Sequence, residues 1–454
     1  MKTRKNKVVN YLFCLFLGWS LQGNSMEKPI TKEFKLSNGL RIVVREDHRA
    51  PVVVSQIWYK VGSKDEHRGI TGVSHALEHM MFQGTPTLPH DGFAILISQY
   101  GGQNNAFTAE DYTAYYEELD AANLAISFQA EADRMQNLIL APEAFAKEIQ
   151  VVIEERRMRT DDNPQNLTWE RFMAVANLMG PYHHPIIGWQ DDLDHMTVTD
   201  LRDWYQKWYA PNNATLIVVG DVQPEQVFQL AQKYFGNIPA RVVPVIKSNK
   251  ELTALGERRL KVEVPAKLPY MMWGFDVPTL KSASAETECY ALMVMSALLS
   301  SGDSSRLNRE LVRGQEVAAD IGTGYDIFKQ FPTQFMITAV PAEGVSVADL
   351  EKKVMAQIEL LKTKPVTPQE LQRVKTQLLA GEVFEKDSMS EQATLLGILE
   401  TVGLGWQVAD GFVDKIKAVT AMQIQAVAKK YLLEKHLTIA ELVPEKVNKE
   451  KANP

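Results

Sequence analysis

The chain repeats one order of elements at its two ends, and this restricts its fold more than any other feature. From Val198 the apolar spacing predicts a helix to Tyr209, a turn at Pro211-Asn212-Asn213, and then the apolar strand ATLIVVGDV. Near the other end Val419–Tyr431 is again helix-like and leads into the strand-like HLTIAELV, so that Tyr209 and Tyr431 hold similar places 222 residues apart. The opening strand FKLSNGLRIVV, turned at Ser37-Asn38-Gly39, has a counterpart in RLKVEVPAKLPYMMWGF. These echoes predict an internal duplication of about 220 residues. Identity between the halves is low, and two unrelated α+β domains are the alternative. The expected class is α+β: two homologous halves, each an antiparallel sheet packed with helices, at residues 26–238 and 258–454. The Pro-containing, charge-rich stretch at 239–257 would link them. With 454 residues, 45% of them hydrophobic, each half is long enough to bury a core.

Charge narrows the partners. The 49 basic and 56 acidic side chains leave −7, and residues 1–25 hold four of the basic ones (Lys2, Arg4, Lys5, Lys7) and no acidic one, so the remainder carries 45 against 56, or −11. That balance argues against nucleic acid, whose phosphates need clustered Lys and Arg. The basic start, the apolar VVNYLFCLFLGWSL and the small residues Gly23-Asn24-Ser25 predict an export signal over 1–25, cut after Ser25. The apolar stretch is broken by Asn10 and falls short of the roughly 20 residues of a spanning helix, which makes a retained anchor the weaker alternative. The expected location is outside the cytoplasm, periplasmic in a Gram-negative cell, with no stable membrane span after signal removal. Cys14 would leave with the signal, and Cys289, in TECYALMVMSALL, would remain as a lone buried thiol.

The local signal for chemistry is His75-Ala76-Leu77-Glu78-His79 in the predicted helix Thr71–Gln83. Positions three and four apart share a helix face, so both imidazoles and the Glu78 carboxylate project together. Two neutral imidazoles at that spacing can bind one zinc ion, with the carboxylate as base toward its water; this is the inverted H-x-x-E-H motif. A hydrolytic zinc site has three protein ligands, and the predicted helix Pro142–Arg159 offers Glu148 and Glu155, two turns apart beside Phe145, Ile149, Val152 and Ile153. An amphipathic helix with solvated acids is the bland reading of that segment.

Four stretches, ITGVSHALEHMMFQGT, GGQNNAFTAEDYTAYY, EIQVVIEERRMRTDDNP and WYAPNNATLIVVGDV, in this order and spacing, make nearly the whole chain after the signal resemble the pitrilysin/insulinase-type zinc metallopeptidases, which include the mitochondrial processing peptidases. The resemblance implies one Zn2+ per chain on His75, His79 and Glu155, the last 76 positions after His79, with Glu154 as its near competitor. It implies Glu148 as the carboxylate that orients a ligand histidine, and Glu78 as the residue that activates water. It also implies that Asn105, Ala106, Phe107 and Thr108 form the edge strand that aligns an extended peptide. The segment PYHHPIIGW, with His183-His184, resembles a family stretch as well, and loop packing is its expected role.

One part of the pattern departs. The family uses an Arg that helps to bind the peptide and, seven residues on, a Tyr that helps to hold the oxyanion; here Arg313 holds the Arg position and Asp320 the Tyr position. A carboxylate is a poor oxyanion donor. Tyr325, five residues along a strand, would turn to the opposite face. The implied function is an exported zinc-dependent endopeptidase that hydrolyses peptides or unfolded segments in an enclosed chamber. The implied assembly is a homodimer, or a heterodimer with a related chain lacking the zinc motif. The rival is a binding or assembly subunit that has lost turnover and requires a partner chain.

Overall fold

A computed structural model describes residues 30–247, 251–252 and 256–445, without the side chains of 383–386. The signal expected at residues 1–25, Cys14 and part of the linker expected at 239–257 lie outside the described residues. In the first half β1 (Thr31–Lys35), β2 (Arg41–Glu46), β3 (Val52–Tyr59), β4 (Gln103–Thr108), β5 (Thr113–Asp120) and β6 (Ala214–Gly220) form one sheet in the order β1-β2-β6-β3-β5-β4. In the second half β7 (Arg258–Val264), β8 (Tyr270–Val277), β9 (Ala318–Gly324), β10 (Thr333–Pro341) and β11 (Leu437–Pro444) form another in the order β7-β11-β8-β10-β9. Without β1 the two orders are the same, strand for strand, which is the topology that a duplication would leave.

Each sheet departs from the expected antiparallel pairing once, and at the same place: β2 with β6, and β7 with β11, run parallel. A parallel neighbour needs a long crossover, and the helices that separate the first and last strands of each half provide it. All seven residues of β6 are buried, so this central strand is covered on both faces and its sequence is continuously apolar rather than alternating.

Side-chain alternation then divides each sheet into two faces. In the first sheet Ile42, Val44, Val53, Ile57, Leu216 and Val218 join the core made with that half's own helices. The opposite face, with Val43, Val54, Trp58, Ile217 and Val219, packs on Ala393, Leu396 and Leu399 of the helix Met389–Thr401, which belongs to the second half. The second sheet receives the converse: Met272, Met336 and Ala440 pack on Phe172 and Ala176 of the helix Pro164–Ala176 from the first half. Two glycines allow these approaches. A Cβ on Gly397 would overlap the Trp58 ring, and one on Gly274 would overlap the ring of Phe172. Each half therefore completes its partner's sheet with a helix of its own. Cys289 is buried in the second core, as are Met271 and Met295.

Candidate metal centre and peptide cleft

The helix Val73–Met80 is fixed in rotation by Val73, Ala76, Leu77 and Met80, all inside the first core, so that His75, Glu78 and His79 turn toward a cleft. Its N-terminal end is held by Glu66, a buried carboxylate that accepts the backbone N–H of Gly72 at 2.7 Å and of Ser74 at 2.9 Å. Burial pushes the Glu66 carboxyl up to about 7, against the pull of those two N–H groups.

The neighbouring helix, Pro142–Arg156, buries Phe145, Ile149, Val152 and Arg156 and presents Glu148 and Glu155 to the two histidines. It was expected to reach Arg159, but a π-helical turn takes over at Arg157–Asp161. Glu155 Oε2 lies 3.7 Å from His75 Nε2 and 3.3 Å from His79 Nε2, while its Oε1 pairs with Arg159 at 2.6 Å. Glu154 turns outward to Arg157 at 2.6 Å and is more than half exposed. One ligand atom from each of His75, His79 and Glu155 lies within 4.8 Å of the others, a grouping that could hold a metal ion. The separations suit zinc, since ligand bonds of about 2.0–2.2 Å in a tetrahedron put neighbouring ligand atoms about 3.3–3.6 Å apart.

The electrostatics agree with that use. His79 Nδ1–H donates to Glu148 Oε1 at 2.9 Å, and Gln83 donates to the other oxygen of Glu148 at 3.0 Å, which leaves His79 Nε2 as the nitrogen facing Glu155. Burial lowers His75 to about 4, helped by the adjacent His79, so this ring is neutral at physiological pH. Burial also acts to lower His79, but its hydrogen bonds to Glu155 and Glu148 outweigh it and raise the group. The bond to His79 is the main reason that Glu155 is held below the usual carboxylate range. Glu78 is raised by burial despite a 2.5 Å hydrogen bond from Thr108 Oγ1.

That bond joins the motif to β4, the outermost strand of its sheet, whose far side has no strand neighbour among the described residues. Asn105, Ala106, Phe107 and Thr108 line a cavity of about 630 Å3 together with His75, Glu78, His79 and Glu155. Part of its wall is apolar, with Trp169, Met173, Ile186 and Ile187. All the lining residues fall between 75 and 187. The second half meets the back of this wall, where Met173 packs on the cluster of Met272, Met336 and Ala440, Lys329 pairs with Glu110 at 2.5 Å, and the N–H groups of Gln330 and Phe331 donate to Asp111 and to the Tyr182 hydroxyl.

Arg313 is not among the residues that line this cavity. It sits in the π-helical turn Asn308–Gly314 of the second half, more than half exposed, with Asp303 4.0 Å away. Asp320 is exposed on β9, and the Tyr325 hydroxyl donates to the Pro278 carbonyl at 2.6 Å, packed with the second core. Sequence reasoning missed both the Glu66 cap, although it is local, joining Glu66 to Gly72 and Ser74, and the Thr108 bond to Glu78, which depends on how β4 packs beside the motif helix.

Residues 41–189, which hold the whole constellation, match the model of the insulinase family, peptidase family M16, and residues 195–378 match that of the peptidase M16 inactive domain. The chain is 33% identical to zinc protease PqqE of Helicobacter pylori over 84% of its own length and 85% of that protein. The chain belongs to peptidase family M16. Among further M16 relatives, the mitochondrial-processing peptidase subunit beta of Lentinula edodes is 24% identical over 91% of this chain and 90% of that one. The crystal structure of a protease from Helicobacter pylori superposes with a TM-score of 0.87 at 30% identity, covering 92% of this chain and all of that one. The M16 assignment divides the molecule as its chemistry does: the model that names the insulinase family covers the cleft, and the one described as inactive covers Arg313 and Asp320.

Proposed function

We propose that this chain is an exported zinc-dependent endopeptidase acting on extended peptides or unfolded segments. One observation carries the reading: a single oxygen of Glu155 faces the Nε2 atoms of both His75 and His79, with Glu78 on the same helix face and an open strand edge beside it. His75, His79 and Glu155 would hold the ion, and Glu148 would keep the His79 ring and tautomer fixed. A zinc ion supplies Lewis acidity toward the scissile carbonyl and acidifies water at the site. The chain's own residues do the rest. β4 pairs with the peptide backbone and holds it in line, which asks little of the peptide's sequence. Glu78, raised by burial, takes a proton from the attacking water and returns it to the leaving amine.

The site supports a dimer as the working form. All the walls of the cavity come from the first half, so a second chain, identical or related, would close the chamber from the other side. Export rests on the N-terminal sequence alone; among the described residues no helix is long and apolar enough to cross a membrane.

The test is hydrolysis of quenched peptides by the chain without residues 1–25, beside Glu78→Gln, with bound zinc measured in both. We expect turnover by the parent and a fall of about 10²–10⁴ in the variant at unchanged zinc content. A second reading, a binding subunit without turnover, is favoured by Asp320, a carboxylate at the position where the family pattern has a tyrosine. Zinc binding with no turnover, alone or with a partner chain, would establish it.

A further inference from the structure

His183 and His184 were expected to be loop packing, yet both line the cavity that holds His75, Glu78 and His79. Their rings stand at 82° with centroids 5.1 Å apart. Each Nδ1 is committed, and in opposite senses. His183 Nδ1–H donates to the Asn177 carbonyl oxygen at 2.7 Å, so a neutral His183 ring keeps a lone pair on Nε2. His184 Nδ1 accepts the indole N–H of Trp189 at 3.4 Å, so its proton must sit on Nε2. Burial, followed by the neighbouring His183, lowers His184 to about 4, which keeps it in that neutral form. Among the described residues neither Nε2 has a hydrogen-bond partner, and neither histidine belongs to a group that could hold a metal.

The pair is anchored next to the end of β4. The Tyr182 hydroxyl donates to the carboxylate of Asp111, at 2.9 Å to one oxygen and 3.1 Å to the other, and Asp111 lies three residues beyond Thr108. A peptide aligned on β4 and running past Thr108 therefore meets one free acceptor and one free donor side by side, the complement of the N–H and C=O that each peptide residue carries. We propose that His183 and His184 bind the substrate backbone just beyond β4, His183 Nε2 accepting an amide N–H and His184 Nε2–H donating to a carbonyl oxygen. This assignment rests on the peptidase reading. It makes the pair positioning residues, which extend the grip on the peptide past the edge strand without reading its side chains.

The experiment is a binding titration of zinc-loaded Glu78→Gln protein with labelled extended peptides, each carrying a backbone ester in place of one amide. An ester removes a single N–H donor. We expect esters opposite β4 to weaken binding in every variant, and one further ester position past Thr108 to weaken it about three- to tenfold, the worth of one hydrogen bond, an effect that His183→Phe should abolish at that position alone. His183→Gln, which retains an acceptor, should restore part of the sensitivity. In the active protein, His184→Phe should raise KM by a similar factor with kcat and zinc content little changed. An ester profile identical in the parent and in both His183 variants, or loss of zinc in any of the three histidine variants, would overturn the assignment while leaving the peptidase reading intact. Absence of peptide binding by the zinc-loaded parent, together with absence of hydrolysis, would instead remove the peptidase reading and this assignment with it.

Discussion

β4 and β9 occupy the same place at the outer edge of two sheets with one topology, yet their surroundings differ in kind. Thr108 on β4 donates to the raised carboxylate of Glu78 on the helix that follows β3. Thr323 on β9 meets the helix Glu286–Ser300, which follows β8, and finds only the Ser296 and Ser300 hydroxyls and the Ser296 carbonyl. One edge faces imidazoles and carboxylates, and its counterpart faces a neutral hydroxyl network. The comparison teaches that the duplicated frame supplies a strand edge beside a helix twice, and that the side chains on that helix and on its neighbour decide whether chemistry is possible there.

The largest expected effect follows from that division. Glu155→Ala should take dialysed protein from about one zinc per chain to nearly none, with turnover lost, whereas Glu154→Ala and Thr323→Val should leave zinc and turnover unchanged. Zinc retained by Glu155→Ala would break the contrast between the edges, and metal analysis beside the peptide assay decides it. Next in size, the exchange of helices predicts one cooperative unfolding transition for both halves. Trp58→Ala and Phe172→Ala should each lower stability by about 3–5 kcal/mol, as large buried side chains do, and urea melts that separate into two transitions would show halves more independent than their packing implies.

Glu66 gives a smaller effect with a defined pH window. In the folded chain it holds its proton up to about pH 7, whereas an unfolded glutamate releases it near 4.5. Between those values the folded state binds more protons, so the contribution of Glu66 to stability falls as pH rises. Relative to Glu66→Gln, the parent should lose roughly 2–3 kcal/mol between pH 4.5 and 7, read from urea midpoints at the two ends. Last, Lys329→Met should cost about 1–3 kcal/mol by leaving Glu110 without its partner, and should raise KM more than it lowers kcat, because Glu110 lies just past the end of β4.

Much of this was legible because it is local. Spacing alone puts His75, Glu78 and His79 on one face, and the apolar residues of the helix Pro142–Arg156 set its buried side. The choice between Glu154 and Glu155 needed the packing: burial of Ile149, Val152 and Arg156 turns Glu155 inward, a rotation that a one-residue shift in alignment would have missed. The parallel pairs were not legible, since strand order is a property of elements far apart in the chain. Nor was the exchange of helices. Met389–Thr401 has apolar residues on more than one side, which signals burial but not which sheet it covers. The role implied for Arg313 came from resemblance alone, and Arg313 does not line the cavity of its own chain.

That exchange also orders events in time. Whether the chain emerges from a ribosome or through a translocation pore, the first sheet is synthesised by Gly220, but the face bearing Trp58 stays uncovered until residues 389–401 arrive. The half with His75, His79 and Glu155 thus has to wait for the helix Met389–Thr401 of the other half before its second layer closes. A protein built this way keeps one face of its first sheet open while it is being made and closes it only once the second half has delivered its helix.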